Sequence, residues 1–405
     1  MPLDLATSLF YHLFSENKIG HRIISLMELE LSKGEKISKI DIKWLRDTLQ
    51  KSFSLPEFAH FKKRIINDEW MDVSVDWEKL IYQEKKSITK QKYLDKMMNC
   101  VFPENQPQWE CVIVEDKYII FVNDHTYGDG VLVTKALSCI FDNPEENNIL
   151  KSKNKNCKIK ILAKIYLFFK IIFQIIFRFL KKKNKNNTKD KNEPSKFCEL
   201  GILSLASLKK IRENFNCSDV STITINDILH SLIVKTNSLY FERENIYSAA
   251  MFNMRSKSTD LINQNKLGYI VLANKVKRES MPEDVLREVH DFMQFYKVTP
   301  AVPIITNTLW VLHKLYKQLA LGIIKRMNQS VDFVISNYVL EYTDKTLNGG
   351  IPIKNINAMV TPCDTNQMYS LISYGDKINV RVTYNNMDEA RLRDSFKKAL
   401  EWMGT

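Results

Sequence analysis

Tyr118-Ile-Ile-Phe-Val-Asn-Asp124-His125-Thr-Tyr-Gly128-Asp129-Gly130 is the stretch that decides how the chain is read. Five apolar residues in a row, rich in β-branched and aromatic types, predict a buried strand. The strand runs straight into a polar turn with two glycines. A helix is expected at 131–141, with Val133, Leu137, Ile140 and Phe141 on one face. Loops at strand ends commonly carry chemical groups, and the types here suit one chemistry. A neutral imidazole takes the proton of an alcohol as its oxygen attacks an acyl carbonyl, then returns it to the leaving group. Asp129 would hold the loop, through an arginine or as the cap of the following helix. Gly128 and Gly130 would permit unusual backbone angles and a close substrate approach. The bland alternative makes His125 a turn residue and Asp129 only a cap.

Upstream, Cys111–Glu115 reads as a strand paired with Tyr118–Asn123 across an acidic turn, and Ile40, Ile42, Leu45, Leu49 and Phe53 recur at helical spacing. Downstream of 197, helical patterns lie at 225–241, 283–296 and 306–327, with a last helix from Asp388 to about Met403. Strand patterns lie at 246–252, 268–276, 331–336, 368–374 and 377–384. The organisation is α+β in two lobes, 1–150 and 197–405, with a biased insertion at 151–196 too long for an ordinary loop.

The 405 residues are 44% hydrophobic and 26% charged, the balance of a folded chain. The formal charge of +12 does not point to nucleic acid. Residues 151–196 hold 15 Lys/Arg and 2 Asp/Glu, and without them the chain is near neutral. No basic stripe runs through the lobes. Seven cysteines, an odd number with no CxxC, argue against a disulfide framework or a zinc site. The opening MPLDLATSLFYHLF lacks the basic region of a signal peptide, so a reduced, cytosol-facing protein is expected.

Inside the insertion, IKILAKIYLFFKIIFQIIFRFL (159–180) is long enough to span a bilayer. Its polar residues Lys160, Lys164, Lys170, Gln174 and Arg178 fall within about 120° of one helical face. A spanning helix would bury Lys170 at a cost of roughly 3 kcal/mol. A helix lying in the interface, with flanking lysines on anionic headgroups, fits the pattern better. A spanning helix and a helix packed on the protein are the other readings.

Several blocks besides His125–Gly130 stand in a telling order: Met1-Pro-Leu-Asp4, Pro107-Gln-Trp109-Glu110, Asn226-Asp227 opening a helix, Met254-Arg255, Leu267-Gly268 and Ser336-Asn337. In these the chain resembles the wax ester synthase/diacylglycerol acyltransferase family, within the chloramphenicol-acetyltransferase-like superfamily. His125–Gly130 fits the HHxxxDG motif of that family, except that Asp124 stands where its first histidine usually is. Asn337-Tyr338-Val339 departs from the turn the family usually has there. The resemblance implies two chloramphenicol-acetyltransferase-like lobes with a substrate tunnel between them and His125 at its middle. It implies acyl-CoA as co-substrate, a long-chain alcohol or diacylglycerol as acceptor, and no metal or prosthetic group.

On this view His125 is the general base and Asp129 its support, while Asp124, Gly128, Gly130, Asn226, Asp227, Ser336 and Asn337 bind substrate or shape the site. Plainer roles stay open for several of them. Asp227 has capping-box spacing with Thr224, and Ser336-Asn337 is either an oxyanion donor pair or a strand-end turn. Arg255 either pairs with Asp129 or faces solvent. Trp109 is expected to be a buried anchor and His230 a packed histidine. The other histidines have no motif context. Localisation follows as membrane-associated and cytosol-facing, at the endoplasmic reticulum or a lipid droplet in a eukaryote. Two rivals remain: an acyltransferase with a small soluble acceptor, and a non-catalytic lipid-binding protein of the same fold.

Overall fold

The computed structural model describes residues 3–15, 21–30, 40–143, 194–216, 223–255, 265–277, 279–298, 301–340, 344–362, 365 and 367–404. The 159–180 segment lies outside them. Among the described residues no helix is long and apolar enough to cross a membrane.

Fourteen strands are described. The first sheet has the order β11-β12-β1-β6-β5-β4, built from Thr346–Leu347, Ile351–Val360, Arg22–Leu29, Tyr118–Asp124, Trp109–Val114 and Ile81–Gln83. The second has the order β7-β14-β13-β10-β8-β9, built from Lys196–Ser204, Lys377–Tyr384, Gln367–Tyr374, Phe333–Val339, Asn245–Asn253 and Leu267–Lys275. The short pair β2 (Lys63–Ile66) and β3 (Glu69–Asp72) stands apart.

Strand β6 is apolar throughout because both its faces are covered, as unbroken apolar runs require. Ile119 and Phe121 join a cluster with Leu132, Val133 and Leu137, whereas Ile120 and Val122 pack with Tyr93, Leu94 and Met98. These partners come from α5 (Gly130–Leu137) and α4 (Lys90–Asn99). The β5–β6 hairpin closes through Glu115 and Asp116, both at φ +54°, the left-handed geometry of tight hairpins. In the second sheet the same period-two division appears. Phe333, Ile335, Tyr369 and Leu371 face the helices, while Val334, Met368 and Ile372 face the first lobe. One apolar cluster thus runs from Ile23 and Phe121 of one sheet to Ala249 and Met368 of the other. It fuses the lobes.

Helix α1 covers Leu5–Ser15, α2 Ile42–Ser52 and α3 Trp77–Leu80. The second lobe contributes α6 (Leu205–Asn216), α7 (Ile225–Phe241), α8 (Pro282–Val298), α9 (Ala301–Leu315), α10 (Lys317–Ser330) and α11 (Glu389–Met403). The expected last helix begins as read, capped by Asp388 through the Arg391 amide.

Two expectations differ. The helix predicted at 306–327 is two helices, because the backbone leaves helical angles at Tyr316, with φ −140° and ψ 68°. The lobes also do not follow the 150/197 division strictly. Strand β12 crosses back from the second half and pairs antiparallel with β1, Ile23 opposite Val360 and Met27 opposite Ile356. The first sheet is therefore completed by residues 346–360.

Candidate active site

His125 opens a single 3-10 turn, His125–Tyr127, directly after β6. Its ring is 4% exposed and lies between two other rings. Phe10 stacks at 4.8 Å and 4°, and His21 at 4.9 Å and 10°. Phe10 belongs to α1, whose start is capped by Asp4: Thr7 donates to it from N (2.9 Å) and Oγ1 (2.7 Å). Asp4 therefore serves the site by fixing the helix that packs on the imidazole.

The ring's orientation comes from the second lobe. Asn265 Nδ2 donates to the His125 carbonyl at 3.0 Å and faces the Thr126 carbonyl at 3.4 Å. Two carbonyls at Nδ2 decide which end of the amide carries hydrogen. Asn265 Oδ1 is then the atom 3.0 Å from His125 Nδ1, so Nδ1 donates and Nε2 carries the lone pair. Burial lowers the His125 pKa, against the opposing pull of Asp129, its own carbonyl, Asp124 and Asn265. The result is a neutral imidazole held in one tautomer.

Asp129 is fully buried and saturated. Oδ1 accepts from the amides of Val131 (3.1 Å) and Leu132 (3.2 Å), capping α5. Oδ2 accepts from Arg255 Nη1 at 2.6 Å and the Lys266 amide at 3.0 Å. Both readings of Asp129 hold at once: it is the cap and the partner of Arg255. With all four donors in place it positions the turn and is not a proton carrier.

The rest of the turn is equally braced. His60 Nε2 donates to the Tyr127 carbonyl at 2.7 Å, and burial drops its pKa to about 4. The Tyr127 hydroxyl donates to the Lys63 carbonyl at 2.7 Å and accepts from the Gln108 amide at 3.0 Å. Asp124 takes the Thr126 amide (3.0 Å) and hydroxyl (2.7 Å) on Oδ1. Desolvation raises its carboxyl, and the Thr126 bonds and Arg22 oppose the rise. Asp124 is thus a turn brace beside the His125 ring.

The two glycines part company. Gly128 sits at φ +156°, and a Cβ there would come within 2.6 Å of Leu132 Cδ2, so glycine is required. A Cβ on Gly130 would meet nothing within 4 Å, which leaves open space beside the turn. From Gly130, Thr134 and Leu137 follow along one side of α5 at helical spacing. Those two line a small apolar cleft with Met27, Ile356 and Ala358 of the first sheet and Tyr338 of β10.

Ser336 and Asn337 lie inside β10, opposite Ser370 and Leu371 of β13, and the strand continues to Val339, so the strand-end turn left open by the sequence is not formed there. Asn337 Nδ2 donates to Asn226 Oδ1 at 2.8 Å, tying β10 to the start of α7. Asp227 completes the capping box with Thr224 and accepts from His290 Nδ1 at 2.8 Å. Among the described residues, no hydrogen bond joins Asn226, Asp227, Ser336 or Asn337 to the His125 turn. Trp109 is the expected anchor, its Nε1 bonded to the Phe61 carbonyl at 2.7 Å. His230 is packed, 2.9 Å from Ser248 Oγ, with its pKa pushed down to about 4. No group of His, Cys, Asp and Glu among the described residues is placed to hold a metal ion.

Sequence reasoning missed Asn265, Phe10, His21 and His60. No spacing signal marks them, since each reaches the turn only through the tertiary fold.

Residues 263–404, which include Asn265, match the model of the WS/DGAT C-terminal domain. A comparison with curated proteins finds no sequence match. The wax ester synthase/diacylglycerol acyltransferase from Marinobacter aquaeolei VT8 has a similar structure, with TM-score 0.62 at 15% identity over 100% of this chain and 98% of that one. A trichothecene 15-O-acetyltransferase from Fusarium sporotrichioides is similar at TM-score 0.68 and 13% identity, over 99% and 94%. The polyketide synthase associated protein 5 from Mycobacterium tuberculosis is similar at TM-score 0.60 and 9% identity, over 99% and 96%. These likenesses establish the two-lobed fold, of the chloramphenicol-acetyltransferase-like kind expected.

Proposed function

We propose that this chain, whose residues 263–404 carry the C-terminal domain of the wax ester synthase/diacylglycerol acyltransferase family, transfers a long acyl group from acyl-CoA to a hydrophobic alcohol. The domain match supports acyltransferase activity. The observation that carries the mechanism is the buried, neutral His125 with Nδ1 tied to Asn265. Its Nε2 takes the proton of the acceptor hydroxyl as that oxygen attacks the thioester carbonyl. The tetrahedral intermediate then collapses, the carbon–sulfur bond breaks, and the imidazolium returns the proton to the CoA thiolate. No covalent acyl-enzyme and no prosthetic group are needed; acyl-CoA is a co-substrate. The apolar cleft lined by Thr134 and Leu137 receives the hydrophobic chain. Each buried methylene would add about 0.8 kcal/mol to its binding.

The acceptor is a long-chain fatty alcohol, yielding wax ester, or diacylglycerol, yielding triacylglycerol. Both partition into membranes. This fits an enzyme held at a cytosol-facing membrane surface, the endoplasmic reticulum or a lipid droplet in a eukaryotic cell, by residues 159–180 and their flanking lysines.

The test is turnover of radiolabelled palmitoyl-CoA by membranes containing wild type or His125→Ala, with hexadecanol and diacylglycerol offered separately. A labelled ester from wild type, reduced roughly 10²–10⁴-fold in the variant, supports the reading, and the acceptor that yields it is identified. A folded wild type that makes neither ester rejects it.

A further inference from the structure

We propose that the elbow between α9 and α10 is a docking surface for an anionic lipid bilayer, separate from residues 159–180. Val311, Leu315, Tyr316 and Leu319 are 53%, 67%, 63% and 55% exposed. Single exposed apolar side chains are ordinary. Here four of the eleven large exposed hydrophobics of the described residues fall within 311–319, which makes a patch. Residues 311 and 315 lie on α9 one turn apart, and Tyr316 and Leu319 follow at the break and on the first turn of α10.

The charge around the corner selects the partner. Residues 301–330 contain no Asp or Glu, and carry Lys314, Lys317, Lys325 and Arg326. Lys314 and Lys317 are exposed and bracket Leu315-Tyr316 directly. The acid beside them is Asp68, which His12 pairs at 2.8 Å, and apolar side chains with an interfacial tyrosine flanked by exposed lysines match the headgroup boundary of an anionic membrane.

The corner stands close to the chemistry. Helices α9 and α10 pack on α1, the His12 and His313 rings are 5.3 Å apart, and Phe10 of the same α1 covers the His125 ring. A bilayer seated on the elbow would therefore lie against the scaffold of the catalytic turn. The inference rests on exposure and charge and does not require the acyl-transfer reading.

The test is hydrogen–deuterium exchange on the full chain, alone and with phosphatidylcholine vesicles with or without phosphatidylserine. Exchange over 311–319 is expected to slow with phosphatidylserine vesicles and to recover in high salt. Lys314→Gln/Lys317→Gln is expected to weaken vesicle binding about fivefold per lysine, and Leu315→Ser/Tyr316→Ser to weaken it at least tenfold, with unchanged melting. The proposal is overturned by unchanged exchange over 311–319 in a chain that sediments with vesicles, which would leave 159–180 as the contact. It is equally overturned by no sedimentation or by variants that bind as wild type does.

Discussion

Asn265 and His125 hold each other at both ends: Nδ2 of the amide donates to the histidine carbonyl, and Oδ1 faces the ring's Nδ1, each at 3.0 Å. One side chain of the second lobe thereby sets the backbone of the His125 turn and the tautomer of the imidazole that we propose as the base. Asn265→Ala is expected to lower kcat roughly 10²-fold or more, because a base in the wrong tautomer presents a proton where a lone pair is needed. Asn265→Asp places a carboxylate on Nδ1 and is expected to raise the pKa of the base. The rising limb of kcat/KM against pH would then move upward from wild type. An unmoved limb would show that Asn265 does not touch the base electronically.

Asp129 and Arg255 meet with both side chains fully excluded from solvent. Removing one partner of such a pair leaves an uncompensated buried charge, at about 3–5 kcal/mol. Arg255→Met is expected to cost that much in urea unfolding, and activity should fall with it, because Asp129 also anchors α5. The double variant Arg255→Met/Asp129→Asn is expected to be more stable than the sum of its parts predicts. Additive losses would mean that the pair does not act as a unit.

Much of this was legible in the chain, for identifiable reasons. Strand β6 showed because a strand covered on both faces has an unbroken apolar run. His125, Gly128 and Asp129 showed because a strand-end turn places them by local geometry. Asn265 did not, since it stands 140 positions from His125, and an isolated asparagine has no periodicity to betray it. No strand was expected at 351–360, where Pro352, Lys354, Asn355 and Asn357 interrupt the apolar residues, so both β12 and its crossing into the first lobe stayed hidden. The break at Tyr316 was invisible because neither Gly nor Pro marks it.

Acid should unfold the protein early. His60 and His230 have folded pKa values near 4, lowered by burial from 6.5. The folded state therefore binds fewer protons than the unfolded one. Stability is full above about pH 6.5 and drains as pH falls toward 4. At pH 5 each histidine costs roughly 2 kcal/mol, a large share of an ordinary domain's stability. His230→Gln removes one titrating group, so its urea midpoint should fall less between pH 7 and pH 5 than that of wild type. Parallel losses in the two proteins would show that His230 is not depressed in the fold.

Chain length is the sharpest test of the cleft. Ala358 lies on β12 opposite Ser25 of β1, and both line the cleft with Thr134 and Leu137. Ala358→Leu puts three carbons into that space without touching the His125 turn. If the acyl chain lies there, the variant displaces about four methylenes of a long chain, each worth about 0.8 kcal/mol. A loss of roughly 3 kcal/mol is about 10²-fold in kcat/KM for palmitoyl-CoA. Octanoyl-CoA, too short to reach the blocked end, should stay within about threefold of wild type. An equal loss for the two substrates would mean that the substitution disturbs the turn, and equal retention would place the chain elsewhere. Melting temperature separates a filled cleft from an overpacked one, because overpacking typically costs 1–3 kcal/mol whereas filling empty apolar space does not.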